Sequence, residues 1–291
     1  PLLVDGIANF IKYIVSKGIN CTMSTNLTLL NEKMARELAN AGLKKVHVSL
    51  DSFDPFVHNK IRGMDKSFER MEANLRLLKN NNIRYTMVTT LMGQSPDHYA
   101  KTIDIAYQLG ASAHKTNTVV PQGRSISLTT KYDGSGEYDI KKYIKVWKNK
   151  KKQYLKKMGI LAETMFSIQM GEGIITNSKI PEILKIGCPA GILTCAINES
   201  GDVTPCSFFT GLIMGNIFDN NFFDIWNSES MHIFRKRGDI AVCGKCRYRD
   251  NCGGCRARSY GQTGSVNRED SYCFMNNNCN KKMHLSKNYN F

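Results

Sequence analysis

The sequence predicts an α/β fold followed by a small cysteine-rich α+β domain. Three observations carry that prediction. Helical and strand-like apolar patterns alternate from Ile7 to Val120. The first 180 residues hold one cysteine, Cys21, whereas nine more lie between Cys188 and Cys279. The chain has 291 residues and 42% hydrophobic content, enough for one large core or two modest ones.

The elements follow in order. Asp5 is expected to cap a helix with Ile7, Phe10, Ile11 and Ile14 on one face and Gly18 as its stop. "INCTMST" reads as a strand. Asn31 then caps "EKMARELANA", with Met34, Leu38 and Ala41 on one face and Gly42 closing it. "KKVHVSL" is a strand ending at Asp51. Ser67 opens the next helix, through Phe68, Met71, Leu75 and Leu78, before the strand "IRYTMVTT". Pro96 starts a helix that Gly110 ends, and "ASAHKTNTVV" is another strand. Such βα alternation predicts a parallel sheet with helical crossovers, and reactive groups gather at the carboxyl ends of its strands. Ser24, Thr25, Asn26, Ser49, Asp51, Thr89, Thr90 and Asn117 are therefore expected around one mouth. The same residue types are also ordinary turn formers and N-caps.

"PQGRSISLTTKYDGSGEY" reads as a polar connection. A basic helix follows, with nine lysines between Lys141 and Lys157. Ile140, Tyr143, Ile144, Trp147, Tyr154, Leu155 and Met158 keep helical spacing there, so the lysines form a wet face, one that could still attract an acidic peptide. The expected division is 1–125 for the βα core, 126–186 for the basic connection and the end of that fold, and 187–291 for the cysteine-rich domain. The net charge is +15, but no nucleic-acid motif accompanies it, so no nucleic-acid partner is expected. No run of about 18 apolar residues suggests a membrane span. The six histidines are dispersed, without HExxH or other ligand spacing.

The cysteines carry the chemistry. Their segregation, with no secretory leader in view, favours thiolate–metal chemistry in a reducing cytoplasm over disulfides. "AINESGDVTPC" is expected to form a hairpin that throws Cys206 back toward Cys195. Cys243-x2-Cys246 and Cys252-x2-Cys255 are chelating loops, and Gly253 and Gly254 let backbone approach sulfur. Cys188, Cys195, Cys206, Cys243, Cys246, Cys252, Cys255 and Cys273 make eight ligands, enough for two tetrathiolate sites. Two zincs or two iron–sulfur clusters satisfy that count equally, and spacing does not choose between them.

The pattern from Cys188 through Gly201, Cys206 and the two CxxC loops to Cys273, with "CGGCRARSY…EDSYC", resembles the SPASM domain of radical S-adenosylmethionine (radical SAM) enzymes. "PLL", "STNLTLL", "LANAGLKKVHVSLDS", "HNKIRG" and "VVPQGRS" independently resemble radical SAM barrels. The resemblance implies a partial (β/α) barrel followed by a SPASM domain with two auxiliary [4Fe–4S] clusters. It assigns one cluster to Cys188, Cys206 and Cys255, with Cys195 as fourth ligand, and the other to Cys243, Cys246, Cys252 and Cys273. It implies that Ser49 and Asp51 contact the methionine or ribose part of S-adenosylmethionine, that Thr25 and Asn26 form the matching strand end, and that Arg62 holds the cofactor carboxylate. Leu27 stands where the family usually has glycine. Cys21 and Cys279 are expected to be plain thiols.

The family's Cys-x3-Cys-x2-Cys loop, which holds the catalytic cluster, is absent from this chain. Pro1 resembles the residue just after the family's "GGE", so the expectation is an N-terminal truncation and a fragment inactive by itself. The intact enzyme is expected to be an oxidoreductase that reductively cleaves S-adenosylmethionine and abstracts hydrogen from a ribosomally made peptide or protein. A haem or porphyrin precursor is the alternative substrate. A flavodoxin or ferredoxin is the expected electron donor. Sulfatase maturases of this family carry Asp directly after the equivalent of Cys206; here that residue is Ser207. A colourless zinc-binding interaction module and a basic RNA-binding protein are the competing classes, and neither explains the barrel motifs.

Overall fold

The computed structural model describes residues 1–123, 125–126, 140–162 and 187–273. They fall into two compact units. The first comprises Pro1–Thr118 with Lys141–Glu163, the second Val119–Ile140 with Thr164–Phe291. The basic helix and the strand after it therefore belong to the first unit. Cys279 and most of 126–186 lie outside the described residues.

The first unit runs α1 (Ile7–Ser16), β1 (Thr22–Thr25), α2 (Glu32–Asn40), β2 (Lys45–Ser49), α3 (Pro55–Arg62), α4 (Ser67–Asn80), β3 (Arg84–Leu91), α5 (Pro96–Gln108), β4 (Ala113–Thr118), α6 (Ile140–Gln153) and β5 (Gly159–Ala162). The strands pair in chain order, all parallel. Sequential order with right-handed crossovers puts the connecting helices on one face of the sheet, as in a sector of a barrel. Met23, Val46, Val48, Met87 and Ile160 are buried on the helix side. Register places His47, Ser49, Val88, Thr90, Lys115 and Asn117 on the opposite, concave side, where they are half-buried.

Local chemistry explains most boundaries. Asn31 accepts the Met34 N–H at 2.9 Å and starts α2, and Gly42, at φ +93°, stops it. Ser95 caps α5 through the His98 N–H, with Pro96 in the first turn. Trp147, Tyr143, Ile140 and Ile144 bury one face of α6, and Lys150 reaches Asp104 at 2.6 Å. Ser67 opens α4 as expected, with Lys66 in the left-handed region just before it. Two expectations fail. Gly6, in the left-handed region, begins α1 with no side-chain cap from Asp5, and Phe10 is exposed. The pattern of α6 breaks after Gln153, so Leu155 is exposed and the chain turns into β5.

The second unit contains β6 (Ala196–Ile197), β7 (Asp202–Thr204) and β8 (Gly215–Asn216), paired antiparallel, with short helices α7 (Phe222–Trp226), α8 (Glu229–His232), α9 (Ala241–Gly244) and α10 (Arg256–Thr263). The expected hairpin is present. Gly201 turns it at φ +82°, and Asn198 accepts the N–H groups of Ser200 and Asp202. Among the described residues, two small apolar clusters hold this unit. Val120, Ala190, Phe209, Phe234 and Ala257 form one; Val203, Ile225 and Met231 form the other.

Candidate cofactor cradle and thiol centres

Asp51, just past β2, is the most constrained polar residue of the first unit. Its Oδ2 lies 2.5 Å from an Arg62 guanidinium nitrogen, and its Oδ1 accepts the Thr90 N–H at 3.1 Å. Gln94 donates to the carbonyls of Asp51 and Thr90, both at 3.2 Å, and accepts the Met92 N–H. The Asp51 N–H in turn donates to His58 Nδ1 at 3.3 Å. Burial raises the Asp51 carboxyl above the usual range, while Arg62 and the Thr90 N–H pull it back. Burial pushes the His58 imidazole down to about 4, which keeps it neutral as an acceptor. The predicted pair Asp51 and Arg62 is therefore brought together, with Ser49 two residues along the same strand face.

Thr25 and Thr89 lie on the other side of the sheet. Period-2 alternation turns both toward the helices, and Thr25 spends its hydroxyl on the Leu27 N–H at 2.9 Å. Asn26 likewise accepts from the Thr28 N–H and hydroxyl. Leu27 adopts φ +64° with its side chain fully buried, so the turn keeps a glycine-like backbone without glycine. That conformation costs about 1 kcal/mol for a residue with a Cβ, which the buried side chain offsets.

In the second unit the thiols form two neighbourhoods. Cys188, Cys206 and Cys255 pack against the Val120–Phe234 cluster, whereas Cys195 packs against Val203, Ile225 and Met231. Cys243, Cys246, Cys252 and Cys273 form the second neighbourhood: Cys243 lies within electrostatic reach of Cys273 and Cys246, and Cys252 of Cys243 and Cys273. Burial pushes the thiols of Cys206 and Cys243 up to about 11 and that of Cys252 up to about 12, so only a strong cation keeps them as thiolates. Among the described residues, no three His, Cys, Asp or Glu groups converge on one point as a single ion requires. Gly253 and Gly254 both have positive φ, and the Gly254 N–H points at Cys252 Sγ, 3.5 Å away. A Cβ on Gly254 would meet Asp270 at 2.9 Å and Cys243 Sγ at 3.7 Å. The Cys188 N–H donates to the Cys252 carbonyl at 2.9 Å, joining the two neighbourhoods.

Three arginines are buried among these thiols: Arg237 is 8% exposed, Arg256 3% and Arg258 0%. Arg237 donates to the carbonyls of Arg249, Asp250 and Cys188. Arg256 reaches Val266 and Asn267 and lies over the Phe234 ring. Arg258 pairs with Asp270 at 3.1 Å and lies over the Tyr272 ring. Asp270 also accepts the Cys255 N–H at 2.6 Å. Among the described residues of this unit it is the one buried acid, against three buried cations. Buried charge demands a counter-charge, and anionic metal–thiolate centres are the chemistry that supplies it. Nothing in the sequence marks these arginines as buried except their place within and beside the cysteine motif.

The comparisons with known proteins agree in both units. The Radical SAM superfamily matches residues 1–106, and the SPASM iron–sulfur cluster-binding domain matches residues 188–255. An AdoMet-dependent heme synthase of Methanosarcina barkeri is 30% identical over 94% of this chain and 79% of its own length. The chain belongs to the radical SAM family. A mycofactocin maturase MftC of Mycobacterium tuberculosis is 23% identical, over 86% of this chain and 62% of its own length. Streptococcus suis SuiB, solved bound to S-adenosylmethionine, shares the fold with TM-score 0.68 at 16% identity, over 91% of this chain and 61% of that one. The chain is thus that of a radical SAM enzyme, whose cofactors are [4Fe–4S] clusters and S-adenosylmethionine. The cradle fits such a cofactor in one concrete respect: Arg62 Nε is buried without a hydrogen-bond partner, beside a half-open polar face. No helix among the described residues is long and apolar enough to cross a membrane.

Proposed function

We propose that this chain acts in a radical SAM enzyme on a haem precursor, a tetrapyrrole, rather than on a ribosomally made peptide. One observation carries the reading. Likeness to AdoMet-dependent heme synthases runs across both units at 30%, 26% and 27% identity, whereas the peptide maturases reach 23%. Ser207 after Cys206, in place of an aspartate, also argues against sulfatase maturation.

When bound, S-adenosylmethionine and its cluster supply one-electron hydrogen-abstraction chemistry. The chain's own task is to hold and orient. Ser49 and Asn26 present polar groups to the cofactor. Asp51 anchors Arg62 through its short ion pair, and Arg62 offers its remaining donors to the cofactor carboxylate. Thr25 supports the turn and does not touch the ligand. In the cysteine-rich unit, Cys188, Cys206 and Cys255 hold one auxiliary [4Fe–4S] cluster and Cys243, Cys246, Cys252 and Cys273 the other. Cys195 stands in a separate packing cluster, which weighs against it as fourth ligand of the first. Such an enzyme works in a reducing compartment with a flavodoxin- or ferredoxin-like electron donor.

The test uses the full-length enzyme, reconstituted without oxygen. It is given S-adenosylmethionine, reductant and either a carboxylated haem precursor or candidate precursor peptides, and 5′-deoxyadenosine and product mass are followed. Turnover with the tetrapyrrole alone is expected. Turnover with a peptide alone would restore the peptide-maturase reading.

A further inference from the structure

The concave face of the first unit carries a charge that no described residue on that face neutralises. In strand register, Ser49 of β2, Val88 of β3 and Lys115 of β4 form one row, with Asp51, Thr90 and Asn117 toward the carboxyl ends. His47 lies one step below Ser49, with Lys45 beneath it. Lys115 is half-buried, and no ion pair or hydrogen bond engages its ammonium among the described residues. Along these strands Asp51 is the sole acid on the concave side, and Arg62 already occupies it. A half-buried ammonium without a partner is unfavourable unless a ligand supplies the anion.

We propose that Lys115 is a substrate-recognition residue that receives a carboxylate of the bound substrate, with the His47 imidazole beside it as a neutral hydrogen-bonding group. Two features of the site support this. Burial first, then Lys45 and Lys115, push His47 below its ordinary range, so it offers one ring N–H and one acceptor instead of a second charge. Lys115 also lies two strand spacings from Ser49, about 10 Å, so an anion held there lies beside the proposed cofactor position without overlapping it. A lysine on a flexible stem suits a carboxylate carried on a side arm of a large ring, because it fixes a point charge without demanding one planar geometry. The assignment rests on the tetrapyrrole reading above, since haem precursors carry several carboxylate arms. The methionine carboxylate of S-adenosylmethionine is the other source of the same chemistry.

The experiment measures binding to the full-length, cluster-loaded enzyme by absorbance titration. The probes are iron coproporphyrin III, its tetramethyl ester and S-adenosylmethionine. Wild type is expected to prefer the tetra-acid to the ester. K115M should weaken the tetra-acid about ten- to hundredfold, leaving the ester and S-adenosylmethionine unchanged, and K115R should recover most of the loss. Unchanged tetra-acid affinity in K115M, with wild type still preferring the acid, would overturn the role of Lys115 and leave the tetrapyrrole reading intact. A loss confined to S-adenosylmethionine would move the contact to the cofactor and overturn the substrate assignment. If wild type binds neither porphyrin, the tetrapyrrole reading fails and this assignment fails with it.

Discussion

The two units are held together by opposite means. In the first, Leu38, Val46, Val48, Leu50, Met71 and Met87 are fully buried, and the polar residues inside are neutral or paired. In the second, the apolar clusters are small, and three guanidiniums, one carboxylate and eight thiols occupy the space between them. The first unit can stabilise itself by removing apolar area from water. The second buries three guanidiniums against one carboxylate, a surplus that anionic metal–thiolate centres would balance, so its fold and its cofactors are one equilibrium.

The comparison breaks most readily at the thiols. Replacing Cys243 and Cys246 by serine, or stripping iron with chelator and reductant, should remove stabilisation on the order of 10 kcal/mol from the second unit. Limited proteolysis should then cut within 187–273 while the first unit keeps its own melting transition. A chain that loses its iron and stays resistant throughout would show that the second unit does not need it.

Next in size is the Arg258–Asp270 pair. Asp270→Asn leaves a fully buried guanidinium short of its carboxylate and should cost about 3–5 kcal/mol, read as loss of cluster content and a lower Tm for the second unit. The double replacement Arg258→Met with Asp270→Leu should recover much of that. Equal loss in the single and double variants would mean that Asp270 matters mainly through its bond to the Cys255 N–H.

Acid should sharpen the contrast from the other side. Burial holds His58 at about 4 and His114 at about 3, against about 6.5 in an unfolded chain. Both folded values are depressed and the neutral form is the buried one, so their stabilisation is complete above pH 6.5 and is lost as pH falls below it. At pH 5 each costs about 2 kcal/mol, because the unfolded chain binds the proton and the folded one does not. The Tm of the first unit should therefore fall between pH 6.5 and 5, and replacing both imidazoles should flatten the curve.

The smallest effect concerns Leu27. Leu27→Ala and Leu27→Gly both lose the buried side chain, but the glycine variant should be the more stable of the two by about 1 kcal/mol, since only glycine takes φ +64° freely. The reverse order would mean that the turn relaxes out of the left-handed region.

The same contrast explains what the residues disclosed in advance. The βα alternation, the Asn31 cap and the Gly42 stop depend on neighbours in sequence, so they were legible. Helix α3 was not, because its one buried residue is His58 and no apolar stripe marks it. Asp54, Pro55 and Gly63 were the available signal. Strand β5 was hidden behind the run "YLKKMGIL", whose apolar spacing continues the helical period past Lys156, where φ is +63°. The cysteine pattern located the second unit, but the burial of Arg237, Arg256 and Arg258 was invisible, since arginine is ordinarily a surface residue. Thr25 sits at a strand end but on the buried side of the sheet, a facing that strand-end position does not reveal.

The hydrogen bond from the Cys188 N–H to the Cys252 carbonyl crosses between thiols that the proposed assignment gives to different clusters. Gly187 sits so tightly against Cys252 that a Cβ there would come within 2.4 Å of its Cα, so the two strands of chain cannot drift apart independently. Loading should consequently be cooperative. Whichever centre assembles first pins the backbone that presents ligands to the second, and maturation should run from empty to doubly filled with few halfway molecules. Native mass spectrometry during iron and sulfide titration would count those molecules. A dominant population carrying a single cluster would show that the two sites fill without regard to each other.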